Sequence, residues 1–189
     1  MTPRTVLDDG RSVRIRALRP SDRGMYRAAV AGLSPRSRYL RFGSPLPKLS
    51  RKFLDQMMQG DGTRHVVYVA LSADERAIVG VVRSVRTPGE ARSAEVAIAV
   101  ADAWQHSGLG SLLLARIVAR ARQTGLRALI AMTLSENNVA ARLAQAHGFM
   151  MRGRAGLYRE YRLELGRPAR CAVTLASRQK GASRAIDPH

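Results

Sequence analysis

Two glycines one residue apart, Gly108 and Gly110, stand at the head of a run that otherwise reads as a helix: "WQHSGLGSLLLARIV", Trp104 to Val118. Glycine costs a helix interior about 1 kcal/mol relative to alanine. It is used where backbone must turn tightly or approach a ligand closely. The stretch just before, "SAEVAIAVAD", alternates as a strand does. Val96, Ile98 and Val100 fall on one face, with Glu95, Ala97, Ala99 and Ala101 on the other. The first face suits a core. The second is a strip of methyl groups with one carboxylate at its upstream end, along which a ligand can lie flat. A strand, a glycine turn and a helix in this order place unpaired N–H groups and a positive dipole end beside the glycines. That arrangement binds phosphate without any required side chain; a plain strand-to-helix turn is the alternative. The Lys-Ser/Thr pair of a nucleoside-triphosphate loop is missing, and Leu113 stands at the third glycine position of a dinucleotide fingerprint.

The other elements come in mixed order. Val13–Arg19 alternates apolar residues with Arg or Ala and predicts a strand. Pro20 ends it, and Ser21 or Asp22 caps a helix through about Leu33. "SPRSRYLRF" predicts a short second helix, "SPLPKLS" a turn, and Ser50 the cap of a third helix through Met58. "HVVYVALSA" and "AIVGVVRSV", joined across "DER", predict a hairpin, and Ser93–Val100 a further strand. A helix over 108–124, stopped by Gly125, leads to a strand over Ala128–Leu134. A helix over Asn138–His147, stopped by Gly148, and strands over Phe149–Arg154 and Leu157–Leu165 complete the pattern. This order predicts a mixed sheet with helices on its faces. From Gly166 onward the periodicity fails, and Arg167, Arg170, Arg178, Lys180 and Arg184 stand against Asp187 alone. That stretch reads as a mobile tail, unless "CAVTLA" pairs as an edge strand.

The chain carries a formal net charge of +18, nearly all from arginine; lysine occurs only as Lys48, Lys52 and Lys180. Such a chain attracts anions. The charge either forms a dedicated surface or is spread over solvated faces. Aromatic residues, at 5%, are too sparse for the stacking platforms that read single strands, so no specific nucleic-acid partner is expected. No apolar run approaches the ~20 residues of a membrane span, and no apolar leader opens the sequence. Cys171 is the only cysteine. It excludes an internal disulfide and a thiolate-rich metal site, and it fits a reducing cytoplasm. His65, His106 and His189 lack ligand spacing, so no metal is expected, and His147 reads as a partly buried helix C-cap.

The wider pattern is more specific. Gln-x-x-Gly-x-Gly after such a strand, followed by "SENNVAARLAQAHGF", resembles the GNAT superfamily of N-acetyltransferases. "DGRSVRIRALRPSDR" and "LSPRSRYLRF" are similar to the acetyltransferase domain of bacterial protein-lysine acetyltransferases. The resemblance runs from about Asp9 to Leu165. It implies an α/β (α+β) fold with a GNAT-like, mostly antiparallel sheet of six to seven strands flanked by helices. It makes 1–166 an N-acetyltransferase domain and 167–189 a basic, flexible tail. The implied co-substrate is acetyl-CoA. Its diphosphate would be held by Gln105, His106, Ser107, Gly108, Leu109, Gly110 and Ser111. Its pantetheine arm would pair with the backbone of Ile98, Ala99 and Val100 and touch Asn137, a residue equally placed to cap a helix. Glu95 matches the glutamate assigned as general base. Ser107 departs from the basic residue common at its position, and "AHGF" from the more usual Leu-Gly-Phe.

A glutamate suits this chemistry. A lysine amine with a pKa near 10.4 is neutral at pH 7 only in a fraction of order 10⁻³ to 10⁻⁴. A carboxylate near the thioester, directly or through water, can take the surplus proton and attracts the cation beforehand. Glu95 stands five residues before Val100, about 17 Å at ~3.3–3.4 Å per residue, which is comparable to an extended pantetheine arm. Tyr158 could protonate the departing thiolate, but its place in a late strand favours packing, and it is left out of the expected site. The expected acceptor is a protein lysine. A small amine or a protein N-terminus is the alternative within the fold, and a non-catalytic acyl-CoA-sensing or nucleic-acid-binding module the alternative outside it.

Overall fold

Eight strands form, most of them segments rich in Val, Ile and Leu: β1 (Arg4–Val6), β2 (Ser12–Ala17), β3 (His65–Leu71), β4 (Ile78–Arg86), β5 (Ser93–Val100), β6 (Ala128–Leu134), β7 (Met150–Ala155) and β8 (Tyr158–Glu164). They join in one sheet in the order β1-β2-β3-β4-β5-β6-β8-β7. The computed structural model describes residues 3–43, 50–90 and 92–166. The tail from Arg167, with "CAVTLA", and most of the turn "SPLPKLS" lie outside the described residues. Five helices accompany the sheet: α1 (Arg23–Ala31), α2 (Pro35–Phe42), α3 (Arg51–Met58), α4 (Leu109–Gln123) and α5 (Asn138–Ala146). Among the described residues no helix is long and apolar enough to cross a membrane.

The expected six to seven strands are corrected to eight. The unforeseen one, β1, is a three-residue segment, "RTV", too short to show a period. It pairs with β2 across a turn in which Gly10 takes φ +84° and Leu7 N–H donates to Arg11 O at 2.7 Å. Asp22 also differs from expectation. It precedes α1 but makes no side-chain cap to it. Its buried carboxylate accepts a guanidinium fork from Arg16, at 2.6 and 2.8 Å, and the Arg19 N–H at 2.8 Å.

Two apolar layers sandwich the sheet. On one face α4 buries Leu109, Leu113, Leu114, Ile117, Val118 and Ala121, a helical spacing, against Val82, Val96, Leu129, Phe149 and Tyr161. On the other, Tyr26 and Val30 of α1 and Leu54 and Met57 of α3 cover Val67, Val69, Leu71 and Val81. Of the neighbouring strands, only β5 and β6 run parallel, because α4 carries the chain back across the sheet between them.

Removing one partner of a buried, forked ion pair strands the other, so Asp22→Ala is expected to cost about 3–5 kcal/mol in denaturant unfolding. The hydrogen bond from Arg16 holds the Asp22 carboxyl below the usual carboxylate range. Its contribution is therefore complete above the ordinary pKa of about 3.9 and is lost as pH falls through the lowered value. Unchanged stability at pH 7 would show that Arg16 finds another acceptor.

Candidate active site

β5 and β6 pair only at Ser93↔Ala128, Ala94↔Leu129 and Glu95↔Ile130. Beyond Glu95 they part. β5 stays on β4 as far as Gly80↔Val100, and β6 stays on β8 as far as Leu134↔Tyr158. The sheet opens into a wedge, and the edge of β5 facing β6 is left without a strand partner. A groove fills the wedge as two lobes of about 330 Å³ each. Both are lined by Leu40, Arg41, Ile98, Asn137, Ala140 and Leu143, so they are continuous. One lobe ends at the glycine loop with Gln105, His106, Gly108, Gly110 and Ser111. The other ends at Glu95, Met132, Thr133 and Tyr158.

The loop explains both glycines. Gly108 takes φ +80° as the N-cap of α4, and a Cβ there would stand 2.5 Å from Asp8 Oδ2. Gly110 has an ordinary backbone, but a Cβ would come to 3.3 Å from Leu143 Cδ2 and narrow the groove. His106 also takes a positive φ, +60°, a conformation that stores backbone strain and clusters at binding sites. The first N–H of α4 to reach back is that of Leu112, to Gly108 O at 3.1 Å. Among the described residues, the N–H groups from His106 to Ser111 donate to nothing. They form a row of free donors at the positive end of a helix, the electrostatic requirement for an anion. The turn after β1 buttresses them: Asp8 N–H donates to Ser107 O at 3.2 Å, and Arg11 stacks on Trp104 at 4.0 Å.

α2 lies along the groove. Asp102, just after β5, accepts from Ser34 N–H at 2.9 Å, Ser34 Oγ at 2.8 Å and Ser37 Oγ at 2.6 Å. Burial alone would raise the Asp102 pKa; the hydrogen bonds from Ser37 and Ser34 outweigh it and hold the carboxyl below its usual range. Gln105 Nε2 donates to Ser37 Oγ at 3.2 Å and to Val100 O at 3.3 Å. At its other end α2 stops at Gly43, with φ +71°, where a Cβ would overlap the Tyr158 hydroxyl. Between these ends Arg41 lines both lobes. Its ring contact is Phe42, at 4.9 Å, and it makes no hydrogen bond or ion pair among the described residues. Burial lowers its pKa, Tyr26 and Glu95 oppose that, and Arg83 adds to it.

The residues named from sequence fall into three groups. Glu95, Ile98, Ala99, Val100, Gln105, His106, Gly108, Gly110 and Ser111 line the groove. Asn137 lines it too and caps α5, accepting from Ala140 N–H at 3.0 Å. Ser107 and Leu109 do not: Ser107 is buried with its Oγ on Trp104 O at 2.7 Å, and Leu109 is a core residue. Only their backbone N–H groups face the loop's task. His147 is the C-cap of α5, its Nε2 lies 2.6 Å from Ser111 Oγ, and burial lowers its pKa. Sequence reasoning missed Asp8, Arg41 and Asp102, which act across long separations, and gave Tyr158 no site role. Among the described residues no group of His, Cys, Asp and Glu is placed to hold a metal.

A profile of the Acetyltransferase (GNAT) family matches residues 35–149. Acetyltransferase PA5475 of Pseudomonas aeruginosa is 34% identical over 146 residues, 76% of this chain and 78% of that protein. The crystal structure of the GNAT domain of S. lividans PAT superposes with a TM-score of 0.80 at 28% identity, covering 86% of this chain and 96% of that one. The fold alone is shared with yncA of Salmonella typhimurium, a structure with its cofactor acetyl-CoA, at a TM-score of 0.63 and 20% identity over 82% and 94% of the two chains.

Asp102 is the tie between α2 and the loop. Asp102→Ala is expected to speed amide hydrogen exchange across 35–42 while the buried amides of α4 keep their protection. Equal protection of α2 in the variant and the parent would show that the Gln105–Ser37 bond and apolar packing seat this helix without Asp102.

Proposed function

The chain belongs to the acetyltransferase (GNAT) family, and from that premise we propose an N-acetyltransferase that uses acetyl-CoA, acetylates a protein lysine and employs Glu95 as general base. The observation that carries this reading is the continuity of one groove from the free N–H groups of His106–Ser111, along the unpaired edge of β5, to Glu95. Its ends differ in chemistry as the two ends of the co-substrate do. The loop end offers backbone donors and a helix dipole, suited to a diphosphate. The middle offers Ile98, Ala99 and Val100, whose open strand edge suits the amides of a pantetheine arm as a further strand would. Ala97 and Ala99 line that passage with methyl groups and leave it open.

Acetyl-CoA supplies an acyl group already activated as a thioester, so no serine or cysteine nucleophile is needed. The exchange forms one C–N bond and breaks one C–S bond; the amine loses a proton and the departing sulfur gains one. Glu95 is exposed in the second lobe and can receive the amine's proton directly or through water. Glu136 is exposed outside the groove lining and is not placed for the task. Tyr158, held against Gly43, presents its hydroxyl to the same lobe. The protein-lysine acceptor rests on the similarity of "DGRSVRIRALRPSDR" and "LSPRSRYLRF" to the bacterial protein-lysine acetyltransferases and on the likeness to S. lividans PAT.

Glu95→Gln keeps the shape and removes the base. With a lysine peptide at pH 7 its kcat is expected to fall about 10²–10⁴-fold, with CoA affinity by calorimetry almost unchanged. The residual rate should climb with pH, since the amine must then lose its proton unaided. Turnover near that of the parent at pH 7 would remove Glu95 from the mechanism.

A further inference from the structure

The groove contains a cation with nothing to hold. Arg41 presents a guanidinium with five N–H donors, and none has an acceptor among the described residues. A second arginine, Arg83 of β4, is close enough to affect it electrostatically. Arg83 donates to Met57 Sδ at 2.7 Å, and a thioether is a weak acceptor. Tyr26, the other neighbour, is buried and neutral near pH 7, since burial raises its pKa. Glu95 is the one carboxylate that acts on Arg41, and no ion pair joins them. One carboxylate that does not pair with it and a second guanidinium thus act on Arg41 beside the reacting end of the groove. A partly desolvated guanidinium without an acceptor is expensive, and its planar fork matches a carboxylate in two parallel hydrogen bonds.

The position along α2 says which part of a bound reactant it meets. Ser37 is tied to Asp102 and Gln105 at the loop end. Arg41 is one helical turn further on, about 6 Å at 1.5 Å per residue, toward Glu95. It is therefore displaced from the free N–H groups that suit a diphosphate, and it borders both lobes where they join.

We propose that Arg41 is a specificity-determining residue that binds a carboxylate carried by one of the two reactants at the reacting end of the groove. The carboxylate is either the distal group of a short dicarboxylic acyl thioester or the carboxylate of an amino-acid amine acceptor. The proposal rests on the acyl-transfer reading above and revises its reactants: a dicarboxylic thioester takes the place of acetyl-CoA, or an amino acid the place of the protein lysine, as the preferred partner. Arg83 supports it by adding positive charge near Arg41.

The full chain is assayed by CoA release and mass spectrometry with matched pairs. One arm compares succinyl-CoA with butyryl-CoA on a single neutral amine. The other compares an amino acid with its amide, using acetyl-CoA. The parent should favour the carboxylate in one arm by about tenfold to a hundredfold in kcat/KM, the size of a lost charged hydrogen bond. The arm that responds identifies the source. In Arg41→Gln that ratio should fall toward one, and Arg41→Lys should restore part of it by charge alone. CoA affinity by calorimetry reports that each variant remains folded and loaded. Absence of a carboxylate preference in both arms, or a preference that Arg41→Gln retains, overturns the proposal while leaving acyl transfer standing. No CoA release with any pair and no CoA binding by the parent overturns the acyl-transfer reading, and this inference with it.

Discussion

The divergence of β5 from β6 after Glu95↔Ile130 is the constraint on which the rest depends. A sheet normally satisfies both edges of an interior strand. Here β5 is satisfied by β4 on one side and has no strand partner on the other beyond Glu95, where Gln105 Nε2 reaches Val100 O. The strands are kept apart by what grips each of them. β4 holds β5 through Gly80↔Val100, β8 holds β6 through Leu134↔Tyr158, and Leu143 and Ala140 of α5 stand in the mouth between them. Closing the wedge would require breaking one of those ladders. The groove is therefore a property of the fold and does not depend on a ligand to open it.

Three features make the wedge usable. Gly108 lets the chain turn from β5 into α4 with the backbone N–H groups of the loop left without acceptors among the described residues, a conformation that its φ of +80° and the contact with Asp8 reserve for glycine. α2 is fastened over the passage at one end by Asp102 and meets Tyr158 at the other. Between these ends it brings Arg41 to the junction of the lobes. The groove is thus graded: backbone donors at one end, an apolar waist, and a side-chain cluster of mixed charge at the other. Grading of this kind orients a long ligand without gripping it strongly at any single residue.

Much of this was legible in the sequence, for identifiable reasons. The alternation in "SAEVAIAV" and the helical spacing of Leu109, Leu113, Leu114 and Ile117 are periodic signals that survive folding, so both elements and their faces could be read directly. The glycines announced a special backbone because few other residues accept φ near +80°. Strand β1 escaped notice because three residues carry no period. Asp22 read as a cap because Asp is a common capping residue, whereas its carboxylate serves Arg16, six positions upstream. Arg41, Asp102 and Tyr158 gave no local signal at all. Each owes its place to contacts between segments far apart in the chain, as the bond between Ser34 and Asp102 illustrates. In a chain so rich in arginine, composition hides the one guanidinium that, among the described residues, faces the groove. Ser107 and Leu109 show what a motif leaves open: it names positions, and the structure shows that these two have their side chains packed away and bring only backbone to the loop.

The central claim is that a single groove, from the free loop amides to Glu95, receives the acyl donor. An amide NMR titration with CoA tests it most directly. The account predicts that perturbations concentrate at His106–Ser111 and Ile98–Val100, extend to Asn137 and to 37–41 of α2, and fade across β1–β3 beyond the loop's buttress. Saturable binding whose perturbations fall on another surface, with the loop amides unmoved, would contradict it.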